Sequence, residues 1–110
     1  MGDRFPRGRV AVAGLATFGV GEAPGYSTIE LAANAVQLAL RDAAVRLDEV
    51  DGLFICLPDD MFAGLSLAQY LGLHPRFTDN NRAGGASFMS HVVTACLMLD
   101  AGYLDCAVIA

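Results

Sequence analysis

The chain is short of charge and has no cluster of Lys and Arg. Charged residues make up 17% of its 110 positions, below the usual quarter, and the net charge is −5. Nucleic acids and anionic membrane surfaces both demand a concentrated basic patch, so neither is expected as a partner. Cysteine is also scarce: Cys56, Cys96 and Cys106 form an odd count without CxxC spacing. Neither a disulfide framework nor a zinc site is indicated, and reduced thiols fit a cytoplasmic location. The start, "MGDRFPRGRVAVAG", holds an acid and no apolar run of signal-peptide length, so no export signal is expected. Between Arg82 and Asp100 lie 17 uncharged residues, too few to span a membrane and including Ser87, Ser90, His91 and Thr94. A buried helix explains that stretch better. There is no internal repeat, low-complexity tract or linker, so residues 1–110 read as one segment.

What the chain has in excess is apolar surface. Hydrophobic residues reach 55%, more than so short a chain can cover for itself. "RVAVAGLAT" (Arg9 to Thr17) predicts a buried strand covered on both faces, followed by the glycine-rich loop "FGVGEAPG". "STIE" (Ser27 to Glu30) has the form of a capping box, which starts a helix at about Thr28. In that helix Glu30, Asn34, Gln37 and Arg41 form a polar stripe while Leu31, Ala35 and Leu38 are expected to face a core, out to about Leu47. "GLFICLP" (Gly52 to Pro58) is a second apolar strand, so strand, helix and strand imply a parallel crossover. A shorter helix over Met61 to Leu73, a short strand in "RFTDNN", a third helix from about Gly85 to Ala101 capped by Gly102, and a strand in "DCAVIA" complete the alternation. The class is α/β. The last strand stops at Ala110, so the chain is expected to be a portion of a longer fold.

Three places invite a chemical reading. A glycine-rich turn after the first strand can cradle a pyrophosphate, but counting from Gly19 puts Pro24 where the dinucleotide fingerprint needs glycine, and no GK[ST] occurs. Ser87 in "GASFM" resembles the serine of a nucleophile elbow, except that Met89 stands where the second glycine belongs. His91 lies one turn further along the same helical face. The plain alternative is a helix-starting serine and a buried, hydrogen-bonded histidine. Asp59 and Asp60 are adjacent, and on an extended chain neighbouring side chains point to opposite sides, so they read as a solvated strand end. The three cysteines read as structural: Cys96 lies about 16 Å along its helix from the turn, and Cys56 and Cys106 sit in apolar strands.

The order of "RVAVAGLATFGVGE", "ELAANAVQLALRDAAVRLDEVDGLFICLP" and "AQYLGLHPRFTDNNRAGGASFMSHVVTACLMLDAGYLDCAVIA" resembles the first part of the N-terminal half of thiolases. The likeness is greatest to thiolase-like proteins related to sterol-carrier thiolases and to steroid side-chain lyases. "NRAGGASFMSHVVTACLMLDAG" looks like the thiolase stretch in which an Asn-Arg or Asn-Lys pair precedes the nucleophilic cysteine, with Asn81 and Arg82 matching the pair. The cysteine then falls on Gly84, or on Gly85 if the turn is shifted by one, and is missing. Without a thiolate the Claisen route through a covalent acyl-enzyme is closed.

The resemblance implies a layered αβαβα fold in which the third helix is enclosed between two sheets. It also implies a homodimer, a CoA thioester as substrate, no cofactor, and further catalytic residues outside this chain. The glycine-bearing version resembles thiolase-like aldolases that cleave a carbon–carbon bond beta to a CoA thioester with a small OB-fold partner. The expected substrate-binding set is Asn81, Arg82, Gly84, Gly85 and Ser87, with no catalytic side chain assigned and no metal. Two other expectations stand beside it: a non-catalytic scaffold that binds acyl-CoA or a partner, and a dinucleotide-binding domain.

Overall fold

The structure, a computed structural model, describes residues 5–110. The start of the stretch bearing on export therefore lies outside the described residues. The first regular element is helix α1, Thr28–Ala43, and it begins as its capping box predicts. The Ser27 hydroxyl accepts the Glu30 N–H at 3.3 Å and the Glu30 carboxylate accepts the Ser27 N–H at 3.3 Å. The helix ends earlier than its apolar pattern suggests, because Ala44 turns left-handed at φ 56°, and Leu47–Glu49 forms a separate 3-10 turn.

Three strands follow: β1 Gly52–Phe54, β2 Phe77–Asp79 and β3 Ala107–Ile109. They make one parallel sheet in the order β2-β1-β3, with Leu53 opposite both Thr78 and Val108. Ladder bonds run past the end of β1, since the Ile55 N–H donates to the Asp79 carbonyl at 2.9 Å and the Cys56 N–H to the Ala110 carbonyl at 3.1 Å. Helix α2, Ala63–Leu71, joins β1 to β2, and helix α3, Ala86–Asp100, joins β2 to β3.

The alternation of a strand sorts the core into two. Leu53 and Ile55 face α1 and α2, in a cluster with Val36, Leu40, Leu67 and Ala68. Phe54 faces the other way, onto Ala95 of α3 and Leu104. The result is a sheet with helices on both faces, as the α/β class requires. One residue aligns all three strand starts. The Asp51 carboxylate accepts the Asp105 and Cys106 N–H groups at 3.0 Å, while its carbonyl accepts those of Arg76 at 2.7 Å and Phe77 at 3.2 Å.

Two expectations are corrected. Residues 9–17 do not form a strand: they are unpaired among the described residues, and Val12 and Leu15 are 87% and 78% exposed. A strand exists only with a ladder partner, and this run lies along α1 instead, with Gly14 against Ala39 and Ala43 and the Leu15 N–H donating to the Asp42 carboxylate at 3.0 Å. The crossover drawn from this run to β1 is therefore absent from the sheet. The core face of α1 is also different, with Ala33, Val36 and Leu40 buried and Leu31, Ala35 and Leu38 only partly so. The helix is apolar on two sides, and the second receives the N-terminal run, where Gly19 meets Leu31.

Helix α3 ends as predicted. Gly102 stands at φ 82°, the Tyr103 N–H donates to the Met98 carbonyl at 3.0 Å and the Gly102 N–H to that of Leu99 at 3.2 Å. This is a Schellman closure. Its inner face carries Ser87, His91 and Ala95, whereas Phe88, Met89, Val92, Val93 and Leu97 lie on the outside, between 42% and 69% exposed. Among the described residues no helix is long and apolar enough to cross a membrane.

Candidate functional site

The turn that joins β2 to α3 lies at the carboxyl end of the parallel strands, where open α/β sheets place their ligands. It is built from both directions. Coming from β2, the Asp79 carboxylate accepts the Asn81 N–H at 3.0 Å, and the Asn81 amide donates to the Ser90 hydroxyl at 3.0 Å. The Arg82 guanidinium donates to the Pro58 carbonyl at 2.8 Å, beside the end of β1. Coming back from α3, the Ser87 hydroxyl accepts the Ala83 N–H at 2.7 Å and the Ser87 N–H donates to the Gly84 carbonyl at 3.0 Å. Ser87 is fully buried, so its oxygen serves the turn from inside.

Between these anchors the two glycines behave differently. Gly84 lies at φ 67°, a region that L side chains rarely adopt, while Gly85 caps α3 at φ −62° and ψ −22°, a conformation open to any residue. At both positions an added Cβ meets nothing within 4 Å. Among the described residues, neither the Gly85 N–H nor the Ala86 N–H finds an acceptor. Two free donors therefore stand at the N-terminus of a 15-residue helix, beside open space, where the helix dipole favours negative charge.

His91 corrects the plain alternative reading. It is fully buried with its ring 5.7 Å from that of Phe54, yet among the described residues neither ring nitrogen has a hydrogen-bond partner. It shares the inner face of α3 with Ser87, but no hydrogen bond joins the two.

The two acids in the connection from β1 to α2 have separate roles. Asp59 accepts the Thr28 hydroxyl at 2.9 Å, at the start of α1, and Asp60 accepts the Phe62 N–H at 2.8 Å, at the start of α2. The Asp60 carboxyl is held below its ordinary value by the Ser66 hydroxyl first, then by the Phe62 N–H and the nearby Arg82 charge. A groove of about 320 Å³ runs between them, lined by Ser27, Thr28, Leu57, Asp59, Asp60 and Ser66. The thiols are partly buried, and burial with the Asp51 and Glu49 charges pushes Cys106 above its ordinary value. No group of three or more His, Cys, Asp or Glu residues is placed to hold a metal among the described residues.

Asn80 also belongs to this region, without a signal in the sequence. Asn80 accepts the Gly64 N–H at 2.5 Å across 16 positions, a bond that no local pattern announces.

A doubly covered parallel sheet with a glycine turn at its carboxyl end defines a class of α/β proteins, and solved structures narrow it. The Ltp2-ChsH2(DUF35) aldolase matches with a TM-score of 0.74 at 26% identity, over 86% of this chain and 25% of that one. A cysteine-to-serine variant of Xanthomonas campestris OleA with bound lauric acid and lauroyl-CoA matches with a TM-score of 0.70 at 18% identity, over 80% and 28%. The 3-oxoacyl-[acyl-carrier-protein] synthase III of Aquifex aeolicus VF5 matches with a TM-score of 0.64 at 19% identity, over 73% and 27%. No family model matches the sequence, and no curated protein does. These neighbours are all thiolase-like, and the fold of this chain is thiolase-like. It spans about a quarter of the length of the structures it matches.

Proposed function

We propose that the chain is part of a thiolase-like acyl-CoA enzyme that makes or breaks a carbon–carbon bond beta to the thioester, by an aldol or retro-aldol route without a covalent intermediate. The observation that carries this reading is the pair of unpaired N–H groups at Gly85 and Ala86 beside open space. The likeness to an aldolase and to an acyltransferase fold supports it.

In the cleavage direction a base removes the proton of the β-hydroxyl, the Cα–Cβ bond breaks, and an aldehyde or ketone leaves. The electron pair moves onto the thioester oxygen as an enolate, which then takes a proton at Cα. Nothing in those steps needs an acyl-enzyme, and so nothing needs a side chain at Gly84 or Gly85. The chain would supply the Gly85 and Ala86 donors, and one such donor is worth about 3–4 kcal/mol of transition-state stabilisation. Asn81 and Arg82 bind the turn to its neighbours, Ser87 braces it from below, and the glycines leave room for the acyl chain. The base lies outside this chain. The same reading carries a homodimer and a small OB-fold partner, with the acyl-CoA as substrate and no cofactor.

A second reading is a scaffold that binds acyl-CoA or a partner without turnover, favoured by a turn that holds no reactive side chain. Full-length protein incubated with a panel of β-hydroxyacyl-CoA thioesters separates the two. Release of an aldehyde or ketone is expected. Normal acetyl transfer with no such release would sink the aldol reading, and saturable acyl-CoA binding with no turnover would establish the scaffold.

A further inference from the structure

We infer that Asn80 is a positioning residue for the glycine turn, acting through helix α2 and not by contact with substrate. Only the kinetic arm of its test rests on the function proposed above.

Three consecutive residues leave β2, and each is tied to a different element. Asn80 Oδ1 accepts the Gly64 N–H of α2 at 2.5 Å, Asn81 Nδ2 donates to Ser90 Oγ of α3 at 3.0 Å, and Arg82 Nη2 donates to the Pro58 carbonyl after β1 at 2.8 Å. The next four residues, Ala83 to Ala86, have no side chain larger than a methyl. They cannot fix themselves by packing, so the position of the Gly85 and Ala86 donors is set by these ties on one side and by Ser87 on the other.

The Asn80 tie differs from the Arg82 tie in being partly buried, where water competes less for the bond. It also has a matched partner. A Cβ at Gly64 would stand 2.5 Å from Asn80 Oδ1 and 3.2 Å from Thr78 Cβ, so α2 approaches the loop this closely only because residue 64 has no side chain. Gly64 and Asn80 form one joint between the start of α2 and the turn. The same end of α2 is held by Asp60, which accepts the Phe62 N–H at 2.8 Å. The first turn of α2 is thus a fixed block, and Asn80 transmits its position to the backbone donors across four residues.

Amide hydrogen exchange on the full-length protein tests this, with Asn80→Ala, Asn80→Asp and Gly64→Ala compared to the parent. Asn80→Ala is expected to raise exchange at the hydrogen-bonded Ala83 and Ser87 amides of the turn by about tenfold, while Asn80→Asp, which keeps an acceptor oxygen, stays within about twofold. Gly64→Ala, which displaces the Asn80 amide without removing it, should resemble Asn80→Ala at the same amides. With a β-hydroxyacyl-CoA as substrate, Asn80→Ala should lower kcat about tenfold with KM changed far less, and Asn80→Asp should restore it. Faster exchange confined to residues 62–66 would show that Asn80 only caps α2, and would overturn the inference. If the parent turns over no thioester, the proposed function fails, while the exchange result still decides the role of Asn80. Should Asn80→Ala fail to fold, Gly64→Ala and Asn80→Asp decide it by the same amides.

Discussion

Gly84 and Gly85 are adjacent, equally open to solvent space and yet not equivalent. At φ 67° an L residue in place of Gly84 costs about 1 kcal/mol or more, whereas Gly85 already has helical angles. Gly84→Ala is therefore expected to lower stability by about 1 kcal/mol and Gly85→Ala by less than about 0.5 kcal/mol. Urea titration of both variants checks it, and equal losses would mean that the turn relaxes. Asp51 invites the second comparison at this scale, because its carboxylate holds two N–H groups at the entry to β3. Asp51→Ala should cost about 1–3 kcal/mol, with Asp51→Asn recovering part of it, as thermal melts would show. An undiminished melting temperature in Asp51→Ala would discard that role. The turn was legible in the sequence because two glycines before a charge-free helix are a local signal. Asn80, Gly64 and Asp51 were not, because each acts on a partner many positions away. The lack of partners on His91 was hidden for the same reason: nothing on its own helix reveals what the opposite layer offers.

Among the elements, those with local punctuation came out close to expectation and the one that depends on a distant partner did not. Ser27 with Glu30 fixed the start of α1, and Gly72 and Gly102 fixed the ends of α2 and α3 through left-handed caps. Residues 9–17 have the apolar content of a strand, but content supplies no ladder, and without a neighbour the run lies on α1. The two-sided apolar surface of α1 explains its mistaken face in the same way, since the helix serves the sheet core and this run together. Removing the cap by Ser27→Ala should destabilise the protein by about 1 kcal/mol, read as a shift in urea midpoint. The start of α2 carries a pH dependence instead. Asp60 has its folded value depressed, so its contribution is present above the ordinary 3.8 and is lost as pH falls through the folded value. Asp60→Asn should flatten that part of the acid limb in a plot of melting temperature against pH. An acid limb identical to that of the parent would remove Asp60 from the account.

For the whole molecule the excess of apolar residues has a definite location. The outer face of α3 exposes Phe88, Met89, Val92, Val93 and Leu97, and residues 9–17 expose Val12 and Leu15 as well. A face of this kind on a chain of net charge −5 has little to repel a second apolar surface locally, because α3 carries no charge before Asp100. The resemblance to thiolases implies a helix enclosed between two sheets, a placement that would account for a composition that water alone would not favour. The 110-residue chain on its own is therefore expected to self-associate or precipitate, with light scattering that rises with concentration. Met89→Glu with Val93→Lys puts opposite charges four residues apart on the exposed face, in the orientation that suits a helix, and should reduce the association without unfolding α3. A monodisperse, cooperatively melting monomer for the unaltered chain would show that the face needs no cover. If both proteins associate equally, the contact must lie elsewhere, and the exposed run over residues 9–17 is the next surface to charge.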